Sequence, residues 1–150
     1  MLLVQYTLIF ASVLLLVALG GCFSEHSGVI NIGLEGIMVS GALGGALTMS
    51  FLPSTTPAFF MVVMVVLISL LSGMVYSLLL AIASINFKAD QTLTGTAMNL
   101  LGTATACIIV RTINMSKNPD DVSTTVKYSQ EKEALMIIIG KYEFNWLIII

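Results

Sequence analysis

The chain has 150 residues, 57% of them hydrophobic and only 9% charged, with a formal net charge of -2 and a mean hydropathy of +1.02. A soluble domain carries about 25% charged residues, and a chain of this length still exposes about a third of the surface it could bury. The composition therefore specifies an integral membrane protein in contact with the lipid bilayer, and it argues against a nucleic-acid binder, because no cluster of Lys and Arg is dense enough to follow a phosphate backbone.

Residues 2–21 are almost wholly apolar and reach the roughly 20 residues that a spanning helix needs. No basic residue precedes them, so the n-region of a signal peptide is missing. Leu19-Gly20-Gly21-Cys22 has some likeness to a lipoprotein cleavage site. A lipoprotein would continue as a polar secreted domain, whereas this chain returns to apolar sequence, which favours a retained spanning helix.

The stretch 24–45 breaks the apolar pattern. It holds every acidic, basic or histidine residue before Lys88, namely Glu25, His26 and Glu35, together with Gly28, Gly33, Gly36, Gly41, Gly44 and Gly45. Each glycine inside a helix costs about 1 kcal/mol relative to alanine. The cluster predicts a broken or re-entrant segment near residues 22–36, a backbone tolerated at membrane depth only where protein or a water-filled cavity satisfies it. Asn31 and Glu35, four apart, would share one face of a helical turn. Glu25 and His26 read as solvated residues. Glu35 has apolar sequence tight on both sides, and a charge at mid-membrane costs about 2.5–3.5 kcal/mol, so it is expected to be buried and hydrogen-bonded.

Residues 37–52 are apolar and rich in small side chains. Pro53 and Pro57 bracket a turn at the membrane surface. Residues 58–83 form the clearest spanning helix. A polar break follows at 84–92, where Asp90 or Thr92 is placed to cap a helix over 93–113. Residues 114–133 read as an extramembrane loop. The apolar sequence after 134 carries Tyr142, Phe144 and Trp146, of which Tyr and Trp favour the membrane interface, and a further spanning helix is expected to start after Trp146. The predicted fold is an all-α polytopic helical bundle, a single transmembrane domain over 1–150 that is incomplete at its C-terminus.

Helices in lipid associate through small residues that let backbones approach. Gly41/Gly45, Ser69/Gly73/Ser77 and Gly95/Asn99/Gly102/Ala106 mark such seams, one per helix. Asn99 is an amide in an apolar helix and must face a bundle interior or a cavity, whether for structural hydrogen bonding or as part of a pathway. Cys22 and Cys107, far apart and set in apolar sequence, read as small hydrophobes rather than a disulfide or metal pair. A lone His26, with no paired catalytic groups and no metal or cofactor set, leaves nothing to support an enzyme.

Two segments carry a family resemblance. Gly-Val-Ile-Asn-Ile-Gly-Leu-Glu-Gly at 28–36, preceded by Ala-Leu-Gly-Gly-Cys-Phe-Ser-Glu-His-Ser at 18–27, resembles the N-terminal signature of permease subunits of ABC importers. Lys-Ala-Asp-Gln-Thr-Leu-Thr-Gly-Thr-Ala-Met-Asn-Leu-Leu at 88–101 resembles a second signature of the branch serving nucleosides and simple sugars, related to ribose and branched-chain amino-acid permeases. The resemblance implies a bacterial cytoplasmic-membrane subunit that pairs with a second permease subunit, ABC ATPase subunits and an extracytoplasmic substrate-binding lipoprotein. ATP hydrolysis would lie on the ATPases. The residues it assigns to the translocation pathway or helix break are Asn31, Gly33, Glu35, Gly36, Asp90, Gln91, Gly95 and Asn99.

The family's Gly-x-Asn-x-x-Ala-Ala-like coupling segment has no counterpart here. The chain is thus expected to be the N-terminal half of a permease, a split-gene product or a decayed copy. The alternative function is a truncated, non-transporting membrane protein that only assembles with partner helices. Arg111, Lys117, Lys127 and Lys132 by themselves would place the 114–133 loop in the cytoplasm under the positive-inside rule. The family layout puts 84–92 there instead and 114–133 outside, and two sequence signatures outweigh a few loop charges.

Overall fold

The computed structural model describes residues 2–28, 30–53, 56–126, 136–139 and 142–145. Four helices carry the fold: α1 (Leu2–His26), α2 (Leu34–Phe51), α3 (Ala58–Ile85) and α4 (Gln91–Lys117). Each is long and apolar enough to cross a membrane. Burial is reversed relative to a water-soluble protein. Large side chains such as Leu70, Leu71, Leu78 and Leu100 face outward, while Gly36, Gly45, Thr48, Gly95 and Gly102 lie buried between helices. Leu and Ile gain nothing by leaving hydrocarbon, whereas close backbone contact between small residues does stabilise helix pairs in lipid. The chain is a multi-pass membrane protein.

α1 runs through Gly20, Gly21 and Cys22 to His26, so the helix break expected from residue 22 starts later, at Ser27. Residues 22–26 contain neither Gly nor Pro and continue the helix. Gly28 then stops it by adopting φ +83, and its N–H donates to the Glu25 carbonyl at 2.9 Å. A left-handed glycine is the usual end of a helix because it pays no Cβ penalty. The Asp90 carboxylate begins α4, accepting from the Thr92 and Leu93 N–H groups at 2.8 and 3.1 Å.

α2 lies between the other two inner helices. It packs antiparallel to α3, with Gly33 against Leu80, Ser40 against Ser72 and Gly45 against Val65 and Ser69. It packs parallel to α4, with Gly33 beside Gly95, Gly36 beside Met98, Asn99 and Gly102, and Ser50 reached by the Lys117 Nζ at 3.3 Å. α1 approaches this group closely at Gly21, where a β-carbon would stand 3.0 Å from the Leu34 Cδ1.

Two expectations are corrected. Asn114 belongs to α4, not to the loop that follows it. It is 3% exposed, and its Nδ2 donates to the Ser123 and Thr125 carbonyls at 3.0 and 2.9 Å, folding the loop back onto the helix end. The all-α description holds for the spanning helices only. Two strands, β1 (Met136–Ile139) and β2 (Tyr142–Asn145), pair antiparallel with Ile139 opposite Tyr142. Isoleucine and aromatic residues favour strands as readily as they suggest membrane helix. The helix expected after Trp146 and the loop residues 127–133 lie outside the described residues.

Candidate functional site

α2 begins without a cap of its own. Its N-cap is Gly33, which has no side chain to bond the free N–H groups of the first turn. The missing acceptor comes from another helix. Asn99 of α4 places its Oδ1 2.8 Å from the Gly36 N–H, and its Nδ2 donates to the Ile32 carbonyl at 2.9 Å. One amide thus ties the last residues of the break to the first turn of α2. Two turns earlier on α4, the Gln91 Oε1 accepts from the Ile30 N–H at 3.2 Å. Between them Gly95 leaves room for the chain, since a β-carbon there would stand 3.0 Å from the Gly33 nitrogen. Gln91, Gly95 and Asn99 recur at four-residue steps and form one face of α4 that receives residues 30–36.

Below Asn99 three helices meet. Gly36 lies so close to α4 that a β-carbon would stand 2.7 Å from the Met98 carbonyl oxygen. Gly102 faces both the Gly36 backbone and the Tyr76 hydroxyl, each 3.0 Å from where its β-carbon would be. Tyr76, from α3, donates to the Met98 carbonyl at 2.6 Å. Farther along, the Ser72 hydroxyl donates to the Ser40 carbonyl at 2.8 Å, and the two hydroxyls stand 3.2 Å apart.

The geometry unites most of the residues singled out in the sequence. Gly33, Gly36, Gln91, Gly95 and Asn99 form one contact region, and Asp90 caps the helix that carries three of them. Asn31 lies in the break, outside α2, so it does not share a helical face with Glu35; its Oδ1 is buried and makes no hydrogen bond among the described residues. Glu35 is exposed, contrary to the expectation of burial. The Gly36 seam turns toward α4, and one residue earlier the side chain points away from it. In the first turn of α2 a carboxylate also meets the favourable end of the helix dipole. Sequence reasoning missed Tyr76 and the Ser40–Ser72 pair. A tyrosine and two serines in apolar runs look like ordinary packing until the facing helix is known.

The chain matches the family described as branched-chain amino acid transport system / permease component, over residues 3–150. It belongs to this permease family. It is 40% identical over 123 residues to the guanosine ABC transporter permease protein NupQ of Bacillus subtilis, a match covering 79% of this chain and 37% of NupQ. It is 34% identical over 108 residues to the nucleoside ABC transporter permease protein NupC of Lactococcus lactis subsp. cremoris, covering 69% of this chain and 32% of NupC. A putative glucose ABC transporter permease protein of Haloferax volcanii is 36% identical over 93 residues, 62% of this chain and 26% of that protein. The matched stretch is thus well under half the length of each of these permeases. No solved structure matches the chain.

Proposed function

We propose that this permease-family chain is a membrane-spanning subunit of an ATP-driven nucleoside importer and forms part of its translocation pathway. The observation that carries this reading is the likeness to NupQ, whose substrate is given by its name as guanosine. The likeness to a putative glucose permease keeps simple sugars within the same substrate range. In this reading a second permease subunit, ABC ATPases that hydrolyse ATP and an extracytoplasmic substrate-binding lipoprotein complete the assembly in the bacterial cytoplasmic membrane.

The pathway element is the helix break with the α4 face beneath it: Asn31, Gly33, Glu35, Gly36, Asp90, Gln91, Gly95 and Asn99. The break is re-entrant. Met98, beside Gly36, is the eighth residue of α4, about 10 Å along the helix from its start. Leu80, beside Gly33, precedes the end of α3 by five residues, or roughly 7 Å. α2 therefore starts one to two turns short of the common end of α3 and α4. Both neighbours, at about 40 Å, exceed the roughly 30 Å of hydrocarbon, so the first turn of α2 lies inside it. An exposed carboxylate at that depth turns toward protein or water rather than lipid, which directs Glu35 into the pathway.

The test is nucleoside uptake in cells lacking the chain and complemented by variants at matched membrane amounts. Restored guanosine uptake, several-fold lower with Glu35→Gln and unchanged with Glu25→Gln, is the expected result. Failure of the wild-type chain to restore any uptake, with its partner subunits present, would favour the non-transporting assembly protein. Equal uptake by both variants would remove Glu35 from the pathway.

A further inference from the structure

We infer that Tyr76 is a positioning residue of the transport element, tying α3 to the turn of α4 that holds the start of α2; this rests on the proposed transport function. The Met98–Asn99 dipeptide receives two helices at once. Its carbonyl accepts from Tyr76 of α3 at 2.6 Å. Its amide side chain bonds the Gly36 N–H and the Ile32 carbonyl, at the start of α2. Among the described residues the Tyr76 bond is the one side-chain hydrogen bond that joins α3 to α4.

The local sequence is built to admit that bond. A helical carbonyl has two lone pairs, and the N–H four residues on takes only one. In α4 that residue is Gly102, and a β-carbon on it would stand 3.0 Å from the Tyr76 oxygen. Glycine at 102 thus leaves the second lone pair of Met98 open to the phenol. The same glycine lets the Gly36 backbone approach, so a single notch serves both neighbours. The Tyr76 ring alone would fill its space equally well as phenylalanine. What the hydroxyl adds is a direction, fixing the rotation of α4 relative to α3 and with it the placement of Asn99 under the break. A phenol in hydrocarbon has no water to compete for its proton, so the bond is made or the group is unsatisfied.

The experiment uses Tyr76→Phe in the chain assembled in its own membrane with its partner subunits, and Tyr6→Phe, on the exposed surface of α1, as the control. Three quantities are read: the amount of chain in the membrane, amide hydrogen exchange over 30–38 and 96–104, and the kinetics of nucleoside uptake. With Tyr76→Phe the amount stays at the wild-type level, exchange in both segments accelerates, and the maximal uptake rate falls about threefold, the change set by one intramembrane hydrogen bond of average strength. The half-saturating concentration stays the same, and Tyr6→Phe changes none of the three. Wild-type exchange in Tyr76→Phe, wild-type uptake despite faster exchange, or loss of that variant from the membrane would each overturn the assignment, the last because it would make the hydroxyl a folding requirement. Should the wild-type chain support no uptake, the transport reading fails by itself, and the positioning role within it falls too, whereas the exchange data still decide whether Tyr76 fixes the Asn99 turn.

Discussion

Asn99 performs from a neighbouring helix the task that a Ser, Thr or Asp usually performs from its own N-cap. Its acceptor satisfies the Gly36 N–H and its donor satisfies the Ile32 carbonyl, so both polar ends of the amide are used and neither is left over. Asn99→Leu removes both bonds and leaves two backbone groups unmatched in an apolar setting. We expect it to destabilise the α2–α4 pair by about 1–3 kcal/mol, measurable as a lower thermal midpoint of the purified chain in detergent. Asn99→Gln, which keeps the amide but lengthens the stem, should recover only part of that loss. The sequence marks Asn99 readily, since an amide in an apolar helix demands partners. It does not name them, because the partners are main-chain groups more than sixty residues away and no side-chain pattern announces a backbone acceptor.

At the scale of elements, α2 is held by contacts of unequal tolerance. Gly36 and Gly102 meet backbone against backbone, where nothing can swing aside. Gly102→Ala should therefore cost about 1–3 kcal/mol, as overpacking does. Gly20, by contrast, has nothing within 4 Å of its β-carbon position, and Gly20→Ala should be neutral or stabilising by up to about 1 kcal/mol through helix propensity. Comparable destabilisation by both would mean that the α2–α4 contact is looser than described. The Ser40–Ser72 pair is a third kind of contact, polar but replaceable. A double-mutant cycle with Ser40→Ala and Ser72→Ala should give a coupling of about 0.6 kcal/mol, read from the same thermal midpoints. Glycine spacing revealed Gly41/Gly45 and Gly95/Gly102 as seams in advance, because small residues at helical steps have few other uses in lipid. It did not reveal which seam faces which, since that depends on the vertical offset between helices. The β1–β2 hairpin escaped for another reason: four-residue runs of isoleucine and aromatics fit a strand and a membrane helix alike.

For the whole molecule, hydropathy made all four spanning helices legible; most of their boundaries moved outward at the polar ends, while the end of α2 drew in by one residue, from 52 to Phe51. Capping and hydrogen bonding decide the last turn, and average hydropathy is blind to both. The offset of α2 behind the ends of α3 and α4 was beyond reach, because the sequence records helix lengths but not their relative heights. Orientation is a property of this scale. In the family layout the 86–90 turn faces the cytoplasm and the segment after α4 faces outward. A membrane-impermeant thiol reagent should then label Thr124→Cys in intact cells, with both native cysteines replaced, and reach Phe87→Cys only after the membrane is breached. Both positions are exposed. The opposite labelling pattern would restore the orientation suggested by the Lys and Arg count.

The cap that Asn99 provides also imposes an order on biosynthesis. Gly36 leaves the ribosome 63 residues before the side chain that completes its helix. At about 5–20 residues per second, that interval lasts roughly 3–13 s. Throughout it, the first turn of α2 lacks the acceptor that Asn99 later supplies, and α4 must arrive before the break closes. A nascent chain arrested short of Asn99 is accordingly an unfinished bundle, in the state where chaperones and membrane proteases would meet it first.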